Sequence, residues 1–400
     1  MRIAYITDFP NLVHEYLFLQ KFAASVHEYW VITFYHGETI PAHFRALPRI
    51  HFIHHRDPLY DKRLLDVRWT TMQGKRSPLV FLQSQIGFVR CFRSLVRALR
   101  AIKPDIVYAG WIQTSGFMAA LSGFRPLLLM PWGSDILISP SQSSLYRWVT
   151  KHTLGKADMI TCDCETVKRR IIELSGFPEE RIVVIPWGIN LGAFNPMVSG
   201  TEIRGQLGWV DKKVIIMTRR FEPIYGIEYF IKALMRVVQH EPNVRVILAG
   251  TGLLEERIRG LVDQLGLTPY VHFPGMIPNH ELPKYLASAD LYVTSSLSDG
   301  SSNALMEAMA CGLPVVVSDI AAHYEWVEDG VNGFIVPCRD SERLAQCIIR
   351  LLKNNELQRQ MGESNWHIAQ TRADWNKNFA RVESIYSHMT GITGTEVVPH

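Results

Sequence analysis

The chain has 400 residues, of which 47% are apolar and 20% are charged, and its formal net charge is +4. The length predicts two domains, and the composition is ordinary for a soluble globular chain. Because no run of 18 uncharged apolar residues occurs, the sequence predicts no membrane-spanning helix, and residues 1–7 form a strand pattern too short for a signal peptide.

The positive charge is concentrated in the first half of the chain. Residues 1–190 hold 23 Lys and Arg against 15 Asp and Glu, whereas residues 191–400 hold 19 against 23. This distribution indicates an anionic partner for the first half only. The six cysteines have no zinc-binding spacing, so we expect free buried thiols and a reducing, cytoplasmic setting.

The first half alternates predicted strands with predicted helices. The strands are predicted over residues 2–7, 30–35, 51–54, 105–109, 126–130, 159–162 and 182–185, and the helices over 14–26, 83–103, 116–121 and 146–154. This alternation favours a parallel sheet with helices on both faces. Residues 57–77 show no clear period, and we interpret them as a surface insertion.

The predicted helix over residues 83–103 carries a row of arginines. They fall at offsets of zero, three, seven and ten and so share one helical face: Arg90, Arg93, Arg97 and Arg100. Two interpretations remain open at this stage. The helix is either a core-facing helix with a solvated basic face, or it lies near anionic lipid headgroups or an acidic acceptor.

The second half repeats the alternation after a predicted linker at residues 186–196, which Gly and Pro interrupt. Strands are predicted over 214–218, 244–249, 271–273 and 333–337, and helices over 227–240, 253–265, 282–287, 341–353 and 366–389. Two half-chains with the same pattern predict two Rossmann-like, doubly wound α/β domains facing each other across a cleft. The predicted division is 1–190, 191–365 and a C-terminal helix at 366–390.

The stretch from Tyr292 to Asp319 reads as a strand, a glycine turn, a helix and a second strand. Residues 303–309 are helix formers, and Gly312 with the proline after it ends that helix. The turn at residues 300–302 directs backbone N–H groups and the positive helix end at one point, which favours an anion such as phosphate. Asp299 and Glu307 frame this turn and helix with seven residues between them.

This stretch resembles the donor-binding motif of retaining glycosyltransferases with the two-domain GT-B architecture, the large glycosyltransferase family four (group 1). The family motif has two glutamates separated by seven residues and then Ala-Met-Ala. Asp299 replaces the first glutamate and Glu307 matches the second. The tail matches at Ala308, Met309, Ala310, Gly312, Pro314, Val315 and Val316. The resemblance implies the GT-B fold, with the C-terminal helix returning to the first domain.

The resemblance also implies roles for individual residues. Arg220, in the run RRFEPIYG, takes the position of the arginine that neutralises the departing diphosphate, and Tyr225 stands where a phosphate-binding lysine is usual. Arg219 is a partial replacement for that lost cation. Asp299 faces the donor sugar and stabilises charge at its anomeric carbon, whereas Glu307 accepts hydrogen bonds from both ribose hydroxyls.

Further contacts to the donor are expected from three turns. The turn at Gly300 supplies the backbone N–H groups of Ser301, Ser302 and Asn303 to the phosphates. The turn with Gly250 and Gly252 packs beside the nucleotide, and the turn with Gly275 and Met276 resembles the loop that contacts the base.

The first domain departs further from the family pattern. Residues 8–11 (DFPN) replace a Gly-Gly turn, and Trp132 stands where many members have a histidine. Trp132 either stacks on a sugar ring or belongs to the core. We expect His14, Trp132 and Asp135 on the acceptor side of the site.

The sequence therefore predicts a retaining transferase that moves a sugar from a UDP- or GDP-linked donor to a hydroxyl of a glycan or lipid-linked acceptor, without a metal or another cofactor. A cytoplasmic protein, peripheral on an anionic membrane face, and no nucleic-acid partner are expected. The alternative is a non-catalytic nucleotide-sugar-binding subunit. A nicotinamide-dependent oxidoreductase is disfavoured because no complete Gly-x-Gly-x-x-Gly follows a strand.

Overall fold

A computed structural model describes residues 1–7, 13–34, 40–55 and 78–391, so the predicted insertion at 57–77 and the turn at 8–11 lie outside the described residues. The chain forms two compact units. The first comprises Met1–Ile185 and the C-terminal segment from Phe379, and the second comprises Pro186–Asn378. Each unit contains its own parallel sheet. This confirms the predicted class of two Rossmann-like α/β domains.

The first unit is built on a sheet of seven strands, all paired in parallel. They are β1 (Arg2–Thr7), β2 (Glu28–Thr33), β3 (Ile50–His54), β4 (Ile106–Gly110), β5 (Leu127–Met130), β6 (Met159–Cys162) and β7 (Ile182–Val184), in the order β3-β2-β1-β4-β5-β6-β7. The helices are α1 (Val13–Ala24), α2 (Ala42–Arg45), α3 (Pro78–Ile102), α4 (Ser115–Ser122), α5 (Ser134–Leu137), α6 (Ser144–Leu154) and α7 (Glu165–Ser175).

The strand order decides which helices share a face of this sheet. The connections from β1 to β2 and from β2 to β3 each lead to the next strand on one side of β1. The connections from β3 to β4 and then on to β7 lead in the opposite direction along the sheet. Because such crossovers are right-handed, α3, α4, α6 and α7 cover one face and α1 covers the other. Contacts of α3 and α6 with α4 agree with this arrangement.

The second unit has a parallel sheet of six strands. They are β8 (Lys213–Thr218), β9 (Val244–Ala249), β10 (Val271–His272), β11 (Leu291–Thr294), β12 (Val315–Ser318) and β13 (Gly333–Val336), in the order β10-β9-β8-β11-β12-β13. Its helices are α8 (Thr201–Leu207), α9 (Ile227–His240), α10 (Glu255–Gln264), α11 (Leu282–Ala287), α12 (Asn303–Ala310), α13 (Ser341–Leu352) and α14 (Asn355–Arg372).

Both faces of the second sheet are buried. Along β8, Ile215 and Met217 belong to one apolar cluster, whereas Val214 and Ile216 belong to the cluster on the opposite face. Successive side chains of a strand alternate between faces, so a continuous apolar run is what a sheet covered on both sides requires. The side chains of α12 join the second of these clusters, which anchors that helix in the core.

The prediction of a single C-terminal helix over residues 366–389 is wrong. The chain instead forms α14 and a further helix, α15 (Trp375–Thr390). Asp374 separates them, because its carboxylate accepts hydrogen bonds from the backbone N–H groups of Asn376 and Lys377 and so starts a new helix. The part of α15 from Phe379 belongs to the first unit, where the Phe379 ring lies 6.0 Å from that of Phe22 in α1. No helix among the described residues is long and apolar enough to span a membrane.

Candidate functional site

The candidate site lies in the second unit, at the carboxyl edge of its sheet. The strand order reverses between β8 and β11, which are neighbours in the sheet. Ligands of open parallel sheets bind outside the carboxyl ends of the strands at such a reversal. The segments that leave these two strands carry Arg219 and the turn at residues 295–302. The topology therefore places the arginine run beside the motif at residues 292–319.

The helix α12 begins inside this turn. The Ser302 hydroxyl caps it by accepting a hydrogen bond from the backbone N–H of Leu305 at 3.4 Å. The Ala, Leu and Met residues that follow favour helix, and Gly312, with φ of 74°, ends it. Since the first N–H groups of a helix have no intrahelical acceptor, the start of α12 presents partial positive charge.

Arg219 occupies the centre of the site. Its Nη1 donates a hydrogen bond to the Ser302 hydroxyl at 2.7 Å, and its Nη2 forms an ion pair with Asp299 and contacts the Ser296 hydroxyl at 3.4 Å. Its Cζ lies 4.0 Å from the centre of the Tyr225 ring. The Nε atom is buried and has no hydrogen-bond partner among the described residues. A full positive charge is thus held beside the start of α12.

The charge on Arg219 is stable despite its burial. Burial alone lowers the pKa of Arg219, but the negative charge of Asp299 and the neighbouring Tyr225 and Tyr292 raise it, and the pKa lies above its ordinary value. Arg219 therefore remains a cation at any physiological pH. The burial cost of that charge is offset by the Asp299 carboxylate and the two serine hydroxyls.

Glu307 lies in α12 and is 7% exposed. Burial raises the pKa of Glu307 to about 8, although the positive charge of Arg219 acts to lower it. Among the described residues, burial and the charge of Arg219 are the two causes that act on its pKa, and no hydrogen bond contributes to it. A ligand with paired hydroxyl donors would satisfy this carboxylate and favour its ionised form.

A buried histidine that the sequence analysis missed completes the polar cluster. His323 follows β12 and is 1% exposed, and its Nδ1 lies 2.7 Å from the Ser318 carbonyl oxygen, so Nδ1 carries the hydrogen. Its Nε2 is buried and has no hydrogen-bond partner in the described stretches. Burial lowers the pKa of His323 to about 4, and the charges of Asp299 and Arg219 also act on it. Its position just beyond the carboxyl end of a strand was the available signal.

The predicted glycine turns pack against the Arg219 loop. A Cβ atom on Gly250 would lie 2.0 Å from the Arg219 carbonyl oxygen, and one on Gly252 would lie 2.7 Å from the Phe221 carbonyl oxygen. The Gly250 N–H donates a hydrogen bond to the Gly275 carbonyl at 2.8 Å. Only glycine allows this approach, so these turns position the loop that carries Arg219.

Two predicted residues of this unit face solvent. Arg220 has a side chain 65% exposed and makes a 3.4 Å ion pair with Glu222. Met276 is also exposed. Of the two adjacent arginines, the structure thus places Arg219, rather than the first candidate Arg220, among Asp299, Ser302 and Tyr225.

The predicted acceptor residues belong to the first unit. Asp135 is fully buried, and its carboxylate accepts hydrogen bonds from the backbone N–H groups of Ile112 at 3.0 Å and Trp132 at 2.8 Å. Burial raises the pKa of Asp135 to about 6. Trp132 is half-buried and lies against Gly110 at the end of β4. His14 lies in α1, and its side chain is outside the described residues.

No group of three or more His, Cys, Asp or Glu side chains in the described ranges is arranged to hold a metal ion. Arg219 and the start of α12 are positive groups that the site offers to an anion.

Comparison with known families covers both halves of the chain. The family described as "Glycosyltransferase Family 4" matches residues 13–193, and that described as "Glycosyl transferases group 1" matches residues 199–366. The chain belongs to the group 1 glycosyltransferases. The motif around Asp299 and Glu307 lies inside the second match.

Two relatives illustrate the range of this family. An uncharacterized glycosyltransferase of Methanocaldococcus jannaschii is 29% identical over 222 residues, which is 54% of this chain and 56% of that protein. A GDP-mannose-dependent α-(1-6)-phosphatidylinositol monomannoside mannosyltransferase of Mycolicibacterium smegmatis is 25% identical over 280 residues, 68% of this chain and 72% of that protein. The chain spans about half the length of several other curated relatives.

Solved structures share the fold of this chain. HepE of Anabaena in complex with UDP superimposes with a TM-score of 0.76 at 22% identity, covering 97% of this chain and 100% of that chain. The two parallel-sheet α/β domains of this group 1 glycosyltransferase are thus those of GT-B proteins.

Proposed function

We propose that this protein is a retaining glycosyltransferase that moves a sugar from a UDP- or GDP-linked donor to a hydroxyl of a glycan or lipid-linked acceptor. The observation that carries the proposal is the buried Arg219 guanidinium held by Ser302 at the start of α12, with Glu307 further along the same helix. A relative described as GDP-mannose-dependent and a similar fold in complex with UDP support this donor class.

The leaving group of such a reaction is a nucleoside diphosphate. As the glycosidic bond breaks, negative charge accumulates on the phosphate oxygens, and fixed positive groups directed there lower the barrier. Arg219 supplies one full charge, and the backbone N–H groups of Ser302 and Asn303 supply the helix end. These groups perform the task that a divalent cation performs elsewhere, so we propose that transfer needs no metal ion.

Glu307 fits the ribose of the donor. Its buried carboxylate lies in α12 on the same helix that meets the phosphates. A carboxylate accepts two hydrogen bonds from adjacent hydroxyls in a bidentate manner. Asp299 is held by Arg219 at the same end of the helix, where it stabilises positive charge on the sugar as the bond to the phosphate breaks.

Retention of configuration follows if the acceptor attacks from the face that the diphosphate leaves. The acceptor oxygen then forms the new bond to the anomeric carbon, the bond to the phosphate oxygen breaks, and that oxygen takes the acceptor proton. This part of the proposal rests on family membership. Linkage analysis of the product would contradict it by finding an inverted anomer.

Thermal shift with UDP, GDP and their sugars tests the donor class, since a ligand that binds only the folded state raises the melting temperature. We expect one base to give the larger shift, and Arg219→Ala to reduce it. No shift with any nucleotide would contradict the proposal.

The second candidate function is a non-catalytic nucleotide-sugar-binding subunit. The observations that favour it are Tyr225 in place of the usual lysine and the ion pair that occupies Asp299. Release of nucleoside diphosphate separates the two candidates. A protein that binds the donor but releases none with any glycan or lipid acceptor would be the subunit.

A further inference from the structure

Three helices of the first unit, α3, α4 and α6, pack side by side, and we call the solvent-facing side of this group the α3–α4–α6 face. A row of aromatic rings joins them. The Phe88 and Phe117 rings are 6.3 Å apart, the Phe117 and Trp148 rings are 6.3 Å apart, and Trp148 stacks on His152 at 5.3 Å. This surface is remote from the donor site in the chain and belongs to the other compact unit.

Apolar side chains of this face are exposed to solvent. Trp148 is 55% exposed and Leu145, one turn before it, is 54% exposed. The others are Ile86 and Val89 on α3 and Leu121 on α4. Large apolar side chains exposed singly are normal, whereas these five lie on three helices that pack against one another, which favours an interaction surface.

The charge of the α3–α4–α6 face has one sign. The sequences of the three helices contain no Asp or Glu. Arg93, Arg97 and Arg100 are exposed on α3, on the same side of the helix as Ile86 and Val89. On α6, Arg147 and Lys151 lie on either side of Trp148 and line a shallow surface groove with it.

We infer that the α3–α4–α6 face binds the surface of an anionic lipid bilayer. Tryptophan and leucine insert at the boundary between headgroups and acyl chains, while arginine and lysine pair with lipid phosphates around them. An anionic bilayer explains both the exposed apolar side chains and the positive charge of this face. A basic face that only contacts water would leave the exposed apolar side chains unexplained. A second copy of the chain fits poorly, because a symmetric contact would bring cations against cations.

Flotation with vesicles tests the inference. The full-length protein is mixed with phosphatidylcholine vesicles that contain or lack phosphatidylglycerol. We expect binding only to the anionic vesicles, weakened by added salt. Replacing the arginines (R93Q/R97Q/R100Q) should weaken binding about 100-fold, and L145Q/W148Q should weaken it about 10-fold.

The matched control is M197Q/V210Q, which removes two exposed apolar side chains from the second unit and should leave binding unchanged. All variants should keep the wild-type nucleotide-induced thermal shift, which shows that they fold. Three results would each overturn the inference: equal binding to both vesicle types, wild-type binding by both α3–α4–α6 variants, or a wild-type dimer that L145Q/W148Q splits.

Discussion

The guanidinium carbon of Arg219 lies 4.0 Å from the centre of the Tyr225 ring. A flat guanidinium stacks on an aromatic face, so Tyr225 supports a cation that another residue supplies. The sequence resemblance predicts that Tyr225 takes the position of a family lysine, and Arg219 reaches the start of α12 from the preceding loop. We therefore propose that Arg219 supplies the positive charge that a lysine at residue 225 would supply.

An exchange of these two residues tests that relationship. Arg219→Gly removes the cation beside α12, and we expect kcat/KM for the nucleotide sugar to fall by about 10²- to 10³-fold, as when one donor to a developing oxyanion is lost. In R219G/Y225K the lysine restores a charge, so we expect kcat/KM to recover by about 10-fold or more. A double variant no better than Arg219→Gly would contradict the interpretation.

Two controls separate charge from packing in this exchange. Tyr225→Phe keeps the ring under Arg219 and should change kcat/KM by less than about 3-fold. Arg220→Ala removes the exposed neighbour, and we expect a smaller loss than for Arg219→Ala. If Arg220→Ala costs more, Arg220 is the phosphate-binding arginine.

The affinity for nucleotide should depend on pH through Glu307. Its pKa is about 8 in the free protein, and ribose hydroxyls favour the ionised carboxylate. Affinity is then complete above that pKa and falls as the pH drops below it, by up to about 10-fold per pH unit. Calorimetric titration with UDP or GDP between about pH 6 and 9 measures this.

Glu307→Gln is the control, because the ligand's own phosphate titrates equally in both proteins. The variant should bind more weakly at high pH, and the ratio of the two dissociation constants should change with pH. A ratio that stays constant would show that Glu307 does not titrate in this range.

The same group should affect the stability of the unliganded protein. Folding raises the pKa of Glu307 from 4.5 to about 8, so the folded state binds the proton more tightly. The free energy of unfolding then falls as pH rises from about 4.5 to 8. Glu307→Gln abolishes this term, and we expect its melting temperature relative to wild type to rise between about pH 5 and 8. A constant difference would contradict the shifted pKa.

Removing Asp299 should destabilise the free protein while enlarging its response to ligand. Asp299→Asn leaves the buried Arg219 without its carboxylate, and we expect the free energy of unfolding to fall by about 2–3 kcal/mol. A bound diphosphate returns negative charge, so the UDP- or GDP-induced rise in melting temperature should exceed that of wild type. Asp299→Glu, which keeps the carboxylate, should resemble wild type in both measurements.

The glycine turn after β9 should be sensitive to a single methyl group. In Gly250→Ala the Cβ atom would lie 2.0 Å from the Arg219 carbonyl oxygen, so we expect a loss of about 1–3 kcal/mol in stability and weaker nucleotide binding. Gly260→Ala in α10 meets no atom within 4 Å and should stabilise the protein by about 0.5–1 kcal/mol. Chemical denaturation compares them, and equal behaviour would contradict the packing argument.

Much of the fold could be predicted from periodicity. The predicted bounds of α9, α11, β6 and β9 equal those observed. The apolar residues of buried strands and amphipathic helices recur with the period of the element, so the sequence pattern shows where each element begins and ends. The break at Asp374 could not be predicted in this way, because it depends on one carboxylate capping two N–H groups.

The candidate site could be predicted only in part. The motif from Asp299 to Glu307 predicted the turn and helix, but two adjacent arginines look alike in sequence, and the course of the chain leaving β8 decides which one turns inward. Asp135 is predicted on the acceptor side of the site, and no pattern in the sequence indicates that its carboxylate accepts hydrogen bonds from two loops in the interior. His323 belongs to no motif and enters the cluster only through the neighbouring strand β12.

The boundary between the two compact units falls inside α15, between Asn378 and Phe379, and this affects what happens when the two units are produced separately. Residues 186–378 form one compact unit and include Arg219, Asp299, Ser302 and Glu307, so we expect a fragment with these limits to fold and to bind the nucleotide that the whole chain binds. A fragment ending at residue 185 would lack Phe379 and Tyr386, whose rings pack against Phe22 and Tyr108. The amino-terminal half should therefore aggregate when made alone and be rescued by a peptide corresponding to the carboxyl end of the chain.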